Sequence, residues 1–524
     1  MKKTIALVLA LCMLFALLTA CAKTEQPAST QSTQKTEENQ KSETVSNVPS
    51  AQETQNDPIE PDEIVFYIIN RNGSSSDAFQ RVEDAINELT VPQINVKVHM
   101  VGFQFGEYMQ MMPLAIAGGE QVDLACTIPF GGASFPALVA SSYLMDISPY
   151  QDLMPTIQEK VGEFLGMYTV GDKLLGFPLY RVYGSKEFCI MSKPMLEEVG
   201  MVEQAENADS FSDLEAIFEA IKERYSDENI YASCGFAVDG LYWTGDRFDS
   251  VVLPEHVGDT TEAVVADKDG HVSCVYAEPD YTKKLQMVAD WAQKGYVHPD
   301  AAFTEEDLMK SGVAFSQIAY SEIGVEGNRK ALLGYDVICP VLASKLLTST
   351  EIVSIAHVVP VTAEEPEAAV RFANMMYESG DLVNLLAWGI EGEDYVINDL
   401  GEATFPAGKD DSTADLYHNA DYLAGNQFLI APWEGSGEGF REMAERSVAE
   451  TPRSAFLGFA LDTSDLANNI AAITAVQDEY KKTLGAGGYN EQMYQAFLDK
   501  LQAAGVDAYC QAIEDQLQAY LANQ

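Results

Sequence analysis

Basic residues are scarce in this chain of 524 residues. Its 32 Lys and Arg stand against 80 Asp and Glu, a formal net charge of −48. Binding to a polyanion rests on clustered Lys and Arg, so nucleic acid is a poor partner. Eight cysteines in such a length cannot build a disulfide scaffold. Beyond Cys21 they stand at 126, 189, 234, 274, 339 and 510 with no CxxC pair. Cys126, Cys189, Cys234 and Cys274 lie in apolar contexts that favour inert buried thiols over disulfides. The six histidines are dispersed without metal-ligand spacing. No H-E-x-x-H, G-x-x-x-x-G-K-[ST] or G-x-S-x-G occurs. With 80 acids some close carboxylate pair is inevitable, so a glycosidase-like pair carries no signal. No cofactor and no metal are expected.

What is present is ample material for cores, with 47% hydrophobic and 10% aromatic residues. Length alone suggests roughly three domains. Only the beginning of the chain carries a long apolar run. Lys2 and Lys3 precede Ile5 to Leu18, a run too short to anchor stably in a bilayer by itself. It ends in Leu18-Thr19-Ala20-Cys21, which resembles the lipobox of bacterial lipoproteins. The resemblance implies cleavage of residues 1–20 and a diacylglycerol on Cys21, enough acyl chain for stable membrane attachment. From Ala22 to about residue 60 the text is Ser, Thr, Gln, Glu, Asn and Lys. Such a segment buries too little to offset its ordering entropy and reads as a tether.

Beyond the tether the pattern alternates strand and helix. Ile64 to Ile69 is an unbroken apolar run of strand length, and Asn70-Arg71-Asn72-Gly73 with three serines makes a loop and a helix cap. Phe79, Val82, Ala85, Ile86 and Leu89 recur at helical spacing. A second strand is expected over Ile94 to Val101, a helix from Tyr108 to Ala117 ended by Gly118-Gly119, and a short strand over Val122 to Cys126. This order argues a mostly parallel sheet, whose ligands sit beyond the carboxyl ends of its strands. Asp267-Lys268-Asp269-Gly270 reads as a hairpin turn; a calcium loop would need Gly where Val272 stands. Toward the end Phe497 and Leu501 form one helical stripe, Gly505 stops it, and Tyr509, Ile513, Leu517 and Leu521 form another.

Several segments, in this order, resemble the family 1 extracellular solute-binding lipoproteins of carbohydrate ABC importers. They are Gly102 to Tyr108, Gly171-Asp172-Lys173-Leu174-Leu175-Gly176-Phe177-Pro178, Ile190 to Leu196, Trp291 to Ala301, Val361 to Tyr377, and Trp388-Gly389-Ile390-Glu391-Gly392-Glu393-Asp394-Tyr395. The resemblance implies a two-lobed, flytrap-like α/β fold of the periplasmic-binding-protein type. Each lobe would be a mostly parallel sheet flanked by helices, with a helical C-terminal region. The first lobe is expected at 61–180 with about 338–400, the second at 181–337 with about 401–524. Strands would cross between lobes near Pro178 to Tyr183 and near Cys339-Pro340. The implied protein is a monomer held on the outer face of the bacterial cytoplasmic membrane, passing a carbohydrate to ABC permease subunits. A surface glycan-active enzyme or a glycan-adhesion lipoprotein is the alternative.

Sugar rings stack their CH-rich faces on aromatic residues and offer hydroxyls to planar polar groups. Loop residues combining both are the candidate ligand contacts. On the first lobe they are Asn70, Asn72, Phe103, Thr127 and Phe130, with Tyr180 and Tyr183 at the crossing. On the second they are Tyr242, Trp243, Asp246, Arg247 and Glu322. Trp388 and Glu391, and Trp433 in the glycine-rich run Trp433 to Gly439, complete the set.

Overall fold

Residues 60–129, 131–184, 186–233, 255–256, 263–299, 301, 307–321, 323–344, 346–410, 413, 415–437 and 439–523 are described by the computed structural model. Cys21, Phe130, Tyr242, Trp243, Asp246, Arg247 and Glu322 lie outside them, as do the leader and tether. Among the described residues no helix is long and apolar enough to cross a membrane.

The apolar run after residue 60 becomes β1 (Asp62–Ile69). Ser75 then caps α1 (Ser76–Ile94), accepting from the Ala78 N–H, and Ala78, Val82, Ile86 and Thr90 form its buried stripe. The helix runs to Ile94, where the expected strand was to begin. Asn95 ends it in the left-handed region at φ 54°, so β2 is Val96–Phe103. Next come α2 (Phe105–Gly118), closed by Gly119 at φ 76°, then β3 (Leu124–Cys126) and, later, β4 (Phe177–Pro178). β1 pairs in parallel with β2 and β3, as the alternation of elements requires.

The chain then builds a second core. Its centre is β5 (Lys186–Ser192), whose alternate residues face opposite ways. Cys189 and Met191 join a large helical core, and Phe188 and Ile190 a smaller one. Helix α3 (Pro279–Gln293) is tied to β5 by the buried ion pair Lys284–Glu187 at 3.1 Å. β6 (Ser316–Ser321), α4 (Val325–Leu333), β7 (Val337–Ile338) and β8 (Val341–Ser344) follow. β6, β7 and β8 all run antiparallel to β5. A mostly parallel second sheet is therefore corrected. Its neighbouring strands return alongside β5, and β7 and β8 are one edge interrupted at Cys339-Pro340 because proline cannot donate to the ladder.

The chain returns to the first core with β9 (Ala356–Val358), inserted antiparallel between β3 and β4 to give the order β2-β1-β3-β9-β4. Helices α5 (Pro366–Glu378), α6 (Gly380–Trp388) and α7 (Phe440–Glu450) cover this core. Ala403, Tyr417, Leu423, Phe428, Ile430, Ala444 and Val448 are buried there. The expected boundary near residue 400 is thus too early, since the first core draws chain up to Val448. The end of the chain packs on the second core as α8 (Ala467–Gly485), α9 (Glu491–Ala503) and α10 (Val506–Leu521). The Asp267 turn joins two antiparallel strands, and its carboxylate accepts the N–H groups of Asp269 and His271 at 2.9 Å each. Cys126, Cys189, Cys274, Cys339 and Cys510 are buried, and burial pushes the Cys126 thiol up to about 12.

His357, on β9, is fully buried with Phe66 and Phe177 edge-on at 5.8 and 6.1 Å. Among the described residues neither ring nitrogen has a partner at full hydrogen-bond geometry. Burial lowers its pKa from 6.5 to about 3, which the nearby Leu423 carbonyl only partly offsets. The folded protein therefore holds the neutral ring. That stability is complete above about 6.5 and is lost as the pH falls toward 3, at about 1.4 kcal/mol per unit. Denaturant titrations at pH 7 and 4.5 should show a loss of roughly 2–3 kcal/mol from this group. His357→Leu should lack that part of the loss; equal acid sensitivity in both proteins would contradict it.

Candidate functional site

The carboxyl end of β1 opens into the Asn70 loop. Asn70 fixes the loop with its own amide, donating to the Ser74 carbonyl and accepting from the Ser74 N–H, both at 2.9 Å. Gly73 supplies the positive φ of 70° that the turn needs. Arg71 and Asn72 are left exposed at the tip.

A distant loop is sewn to this one. Asn419, buried, donates to the Ile69 carbonyl at 2.8 Å and accepts from the Arg71 N–H at 3.3 Å. The His418 N–H donates to Ser74 Oγ at 3.2 Å. These bonds bring His418 to the edge where a parallel sheet binds its ligands.

His418 stacks on Trp433 with ring centroids 4.5 Å apart and planes 18° from parallel. Phe405 stands edge-on to both rings, at 5.1 Å from His418 and 4.8 Å from Trp433. Trp388 forms the floor, 4.8 Å from Trp433 and 4.9 Å from His418. Trp388 is only 5% exposed and donates to the Ala431 carbonyl at 2.9 Å, whereas Trp433, Phe405 and His418 are half-buried. Beside this quartet Arg71 lies over the Tyr422 ring at 5.5 Å. The result is an apolar ring surface flanked by exposed amide and guanidinium donors.

Asp394 holds the arrangement from beneath. Only 1% exposed, it accepts from Arg81 at 2.5 Å and from the N–H groups of Ile390 and Tyr417 at 2.9 Å each. Gly389 packs so closely on this carboxylate that a Cβ there would lie 2.5 Å from it. Tyr417 is also anchored through its hydroxyl, which donates to the Leu386 carbonyl at 2.9 Å. The residue preceding His418 is thereby locked.

The Trp433 turn is pinned as well. The Glu434 N–H donates to the Ala403 carbonyl at 2.8 Å, and Thr404 Oγ1 donates to the Glu434 carboxylate at 2.5 Å. Burial opposes ionisation of Glu402, but hydrogen bonds from Asn398 and from the Gly437 N–H hold its carboxyl below the usual range. The ionised group keeps the turn closed.

Of the residues expected from sequence, Asn70, Asn72, Trp388 and Trp433 meet at this place. Phe103 is close by, its carbonyl accepting from the Asn70 N–H at 2.8 Å and its ring tilted on Tyr67. Thr127 is fully buried, bonded through Oγ1 and N–H to the backbone of Ala356 on β9, and so has no surface to offer a ligand in this conformation. Tyr183 is buried too, with its hydroxyl on the Leu179 carbonyl. Tyr180 is half-buried against Phe428 at 4.7 Å. Burial and Glu445 push its hydroxyl up to about 12. Glu391 lines a separate hollow of about 640 Å³ with Glu88, Asp381 and Tyr395. His418, Phe405, Tyr422 and Arg71 are not among the ligand contacts expected from the sequence. Their juxtaposition comes from loops far apart in the chain. Among the described residues no group of three His, Cys, Asp or Glu could hold a metal.

Comparison with known proteins agrees with this architecture. A family model described as a domain of unknown function (DUF3502) matches residues 455–522, the C-terminal helices. A carbohydrate ABC transporter substrate-binding protein of Streptococcus pneumoniae serotype 4 is 20% identical over 475 residues, covering 86% of this chain and 89% of that protein. The crystal structure of the N-glycan transport solute binding protein of S. pneumoniae superposes with a TM-score of 0.73 at 17% identity, covering 88% of this chain and 99% of that one. The S. pneumoniae ABC-transporter substrate binding protein FusA, in complex with kestose, superposes with a TM-score of 0.58 at 14% identity, covering 88% and 100%.

Proposed function

We propose that this chain, which has the two-lobed α/β fold of extracellular solute-binding proteins, captures an oligosaccharide and delivers it to an ABC permease. The observation that carries the reading is the half-exposed Trp433–His418 stack beside Asn70, Arg71 and Asn72. Flat aromatic faces suit the CH face of a pyranose, and amide and guanidinium donors suit its hydroxyls. The similar proteins are carbohydrate-binding components of transporters, not enzymes, which speaks against glycan cleavage. Ligand would bridge the two cores and favour their closed arrangement, with residues of the second lobe completing the cleft.

A thermal-shift screen should include Man1GlcNAc and kestose, the glycans bound to two of the similar structures. A ligand at 100 times its Kd stabilises by about 2.7 kcal/mol. The glycan should be recovered intact; product formation would favour the enzyme reading instead.

The same reading holds the protein at the outer face of the cytoplasmic membrane through a diacylglycerol on Cys21, motivated by Leu18-Thr19-Ala20-Cys21. Cys21→Ser should release it from membranes or leave it unprocessed. Unchanged partitioning and an unchanged amino terminus would refute the anchor.

A further inference from the structure

The Trp433 turn faces the aromatic quartet on one side and the second core on the other. Its far neighbour is α4, whose Val325 is buried in the smaller cluster with Phe188, Ile190, Met309 and Cys339. The approach is backbone to backbone. A Cβ on Gly327 would lie 2.7 Å from the Gly435 carbonyl carbon, and one on Gly435 would lie 3.0 Å from Gly327 Cα. Gly435 also has a φ of 93°, two residues after Trp433, in a turn closed by the Ser436 N–H donating to the Trp433 carbonyl at 3.0 Å. Gly324, at the start of α4, packs on Phe440 with the same tightness, a Cβ there falling 2.6 Å from the ring. Lys330, paired with Asp336 at 3.0 Å, adds electrostatic attraction toward Glu434 and Glu402.

Such closeness fixes relative position. Two side chains could slide over each other, but two bare backbones at van der Waals distance leave one geometry. The contact also lands on the turn that orients an indole, two residues from its Cα.

We infer that Gly327 and Gly435 are positioning residues for ligand capture: their contact ties the Trp433 turn to the second core, so the approach of that core sets the ring. The inference rests on Trp433 being a ligand platform. Its mechanical part is readable without any ligand. A merely compacting contact would alter stability and leave the environment of the ring alone.

The experiment compares Gly327→Val with wild type in the free protein, by tryptophan emission and small-angle scattering. Val is tolerated in a helix and improves on the helix propensity of Gly. Its side chain cannot share the space of Gly435. The expected result is a displaced Trp433 emission and a larger radius of gyration. The emission change must vanish in a Trp433→Phe background, which separates it from the other three tryptophans. Gly327→Ala should give the same changes at smaller size, and it serves if the Val variant does not fold. Unchanged emission and radius in folded variants, or an emission change that persists without Trp433, overturns the inference. In the binding arm, Man1GlcNAc affinity should fall about tenfold in Gly327→Val. Failure of wild type to bind any glycan, with the emission response intact, would instead sink the platform reading.

Discussion

Asp394→Ala should destabilise the first core by about 2–4 kcal/mol, the cost of two buried backbone N–H groups left without their acceptor. The carboxylate is almost wholly buried and satisfies two backbone N–H groups while pairing with Arg81. Alanine leaves the N–H groups of Ile390 and Tyr417 without their acceptor. Arg81 keeps Glu393 at 3.2 Å, so its charge is not stranded and the loss stays below that of a fully orphaned ion. Asp394→Asn retains one acceptor and should recover part of the stability. Because Tyr417 precedes His418, both variants should also loosen the stack on Trp433. Denaturant unfolding of the three proteins checks this, and a change under 1 kcal/mol for alanine would mean the hub is replaceable.

Trp433→Ala should weaken oligosaccharide binding by roughly ten- to thousandfold, the range of an interface hot spot. Its melting in the free state should fall much less than that of Trp388→Ala, because the ring is half-buried and not enclosed. Trp388→Ala is the contrast. That ring is the buried floor, hydrogen-bonded to Ala431, and its loss should cost about 3–5 kcal/mol of stability. If Trp433→Ala folds and binds normally, the platform is elsewhere. If it melts like Trp388→Ala, the indole is core.

The local signals in the chain were readable wherever structure depends on near neighbours. Gly119 ends α2 in the left-handed region, the Asp267 turn joins its hairpin, and Phe497, Leu501, Tyr509, Ile513 and Leu517 are buried as their spacing requires. Tertiary pairing hid the rest. Thr127 follows a strand as expected, but β9, far along the chain, pairs there and takes up its hydroxyl. The direction of the second sheet was equally hidden, since period-two patterning does not distinguish parallel from antiparallel partners. Trp433 stood out in its glycine-rich run, yet its partner His418 looked like one of six scattered histidines. Nothing local announces a stack assembled from separate loops.

Calorimetric titration of the wild-type protein with a panel of oligosaccharides and peptides is the most direct trial of carbohydrate capture. The account predicts saturable micromolar or tighter binding of at least one oligosaccharide, with a negative heat-capacity change from buried apolar surface. Saturable heat from a peptide and none from any glycan would contradict it.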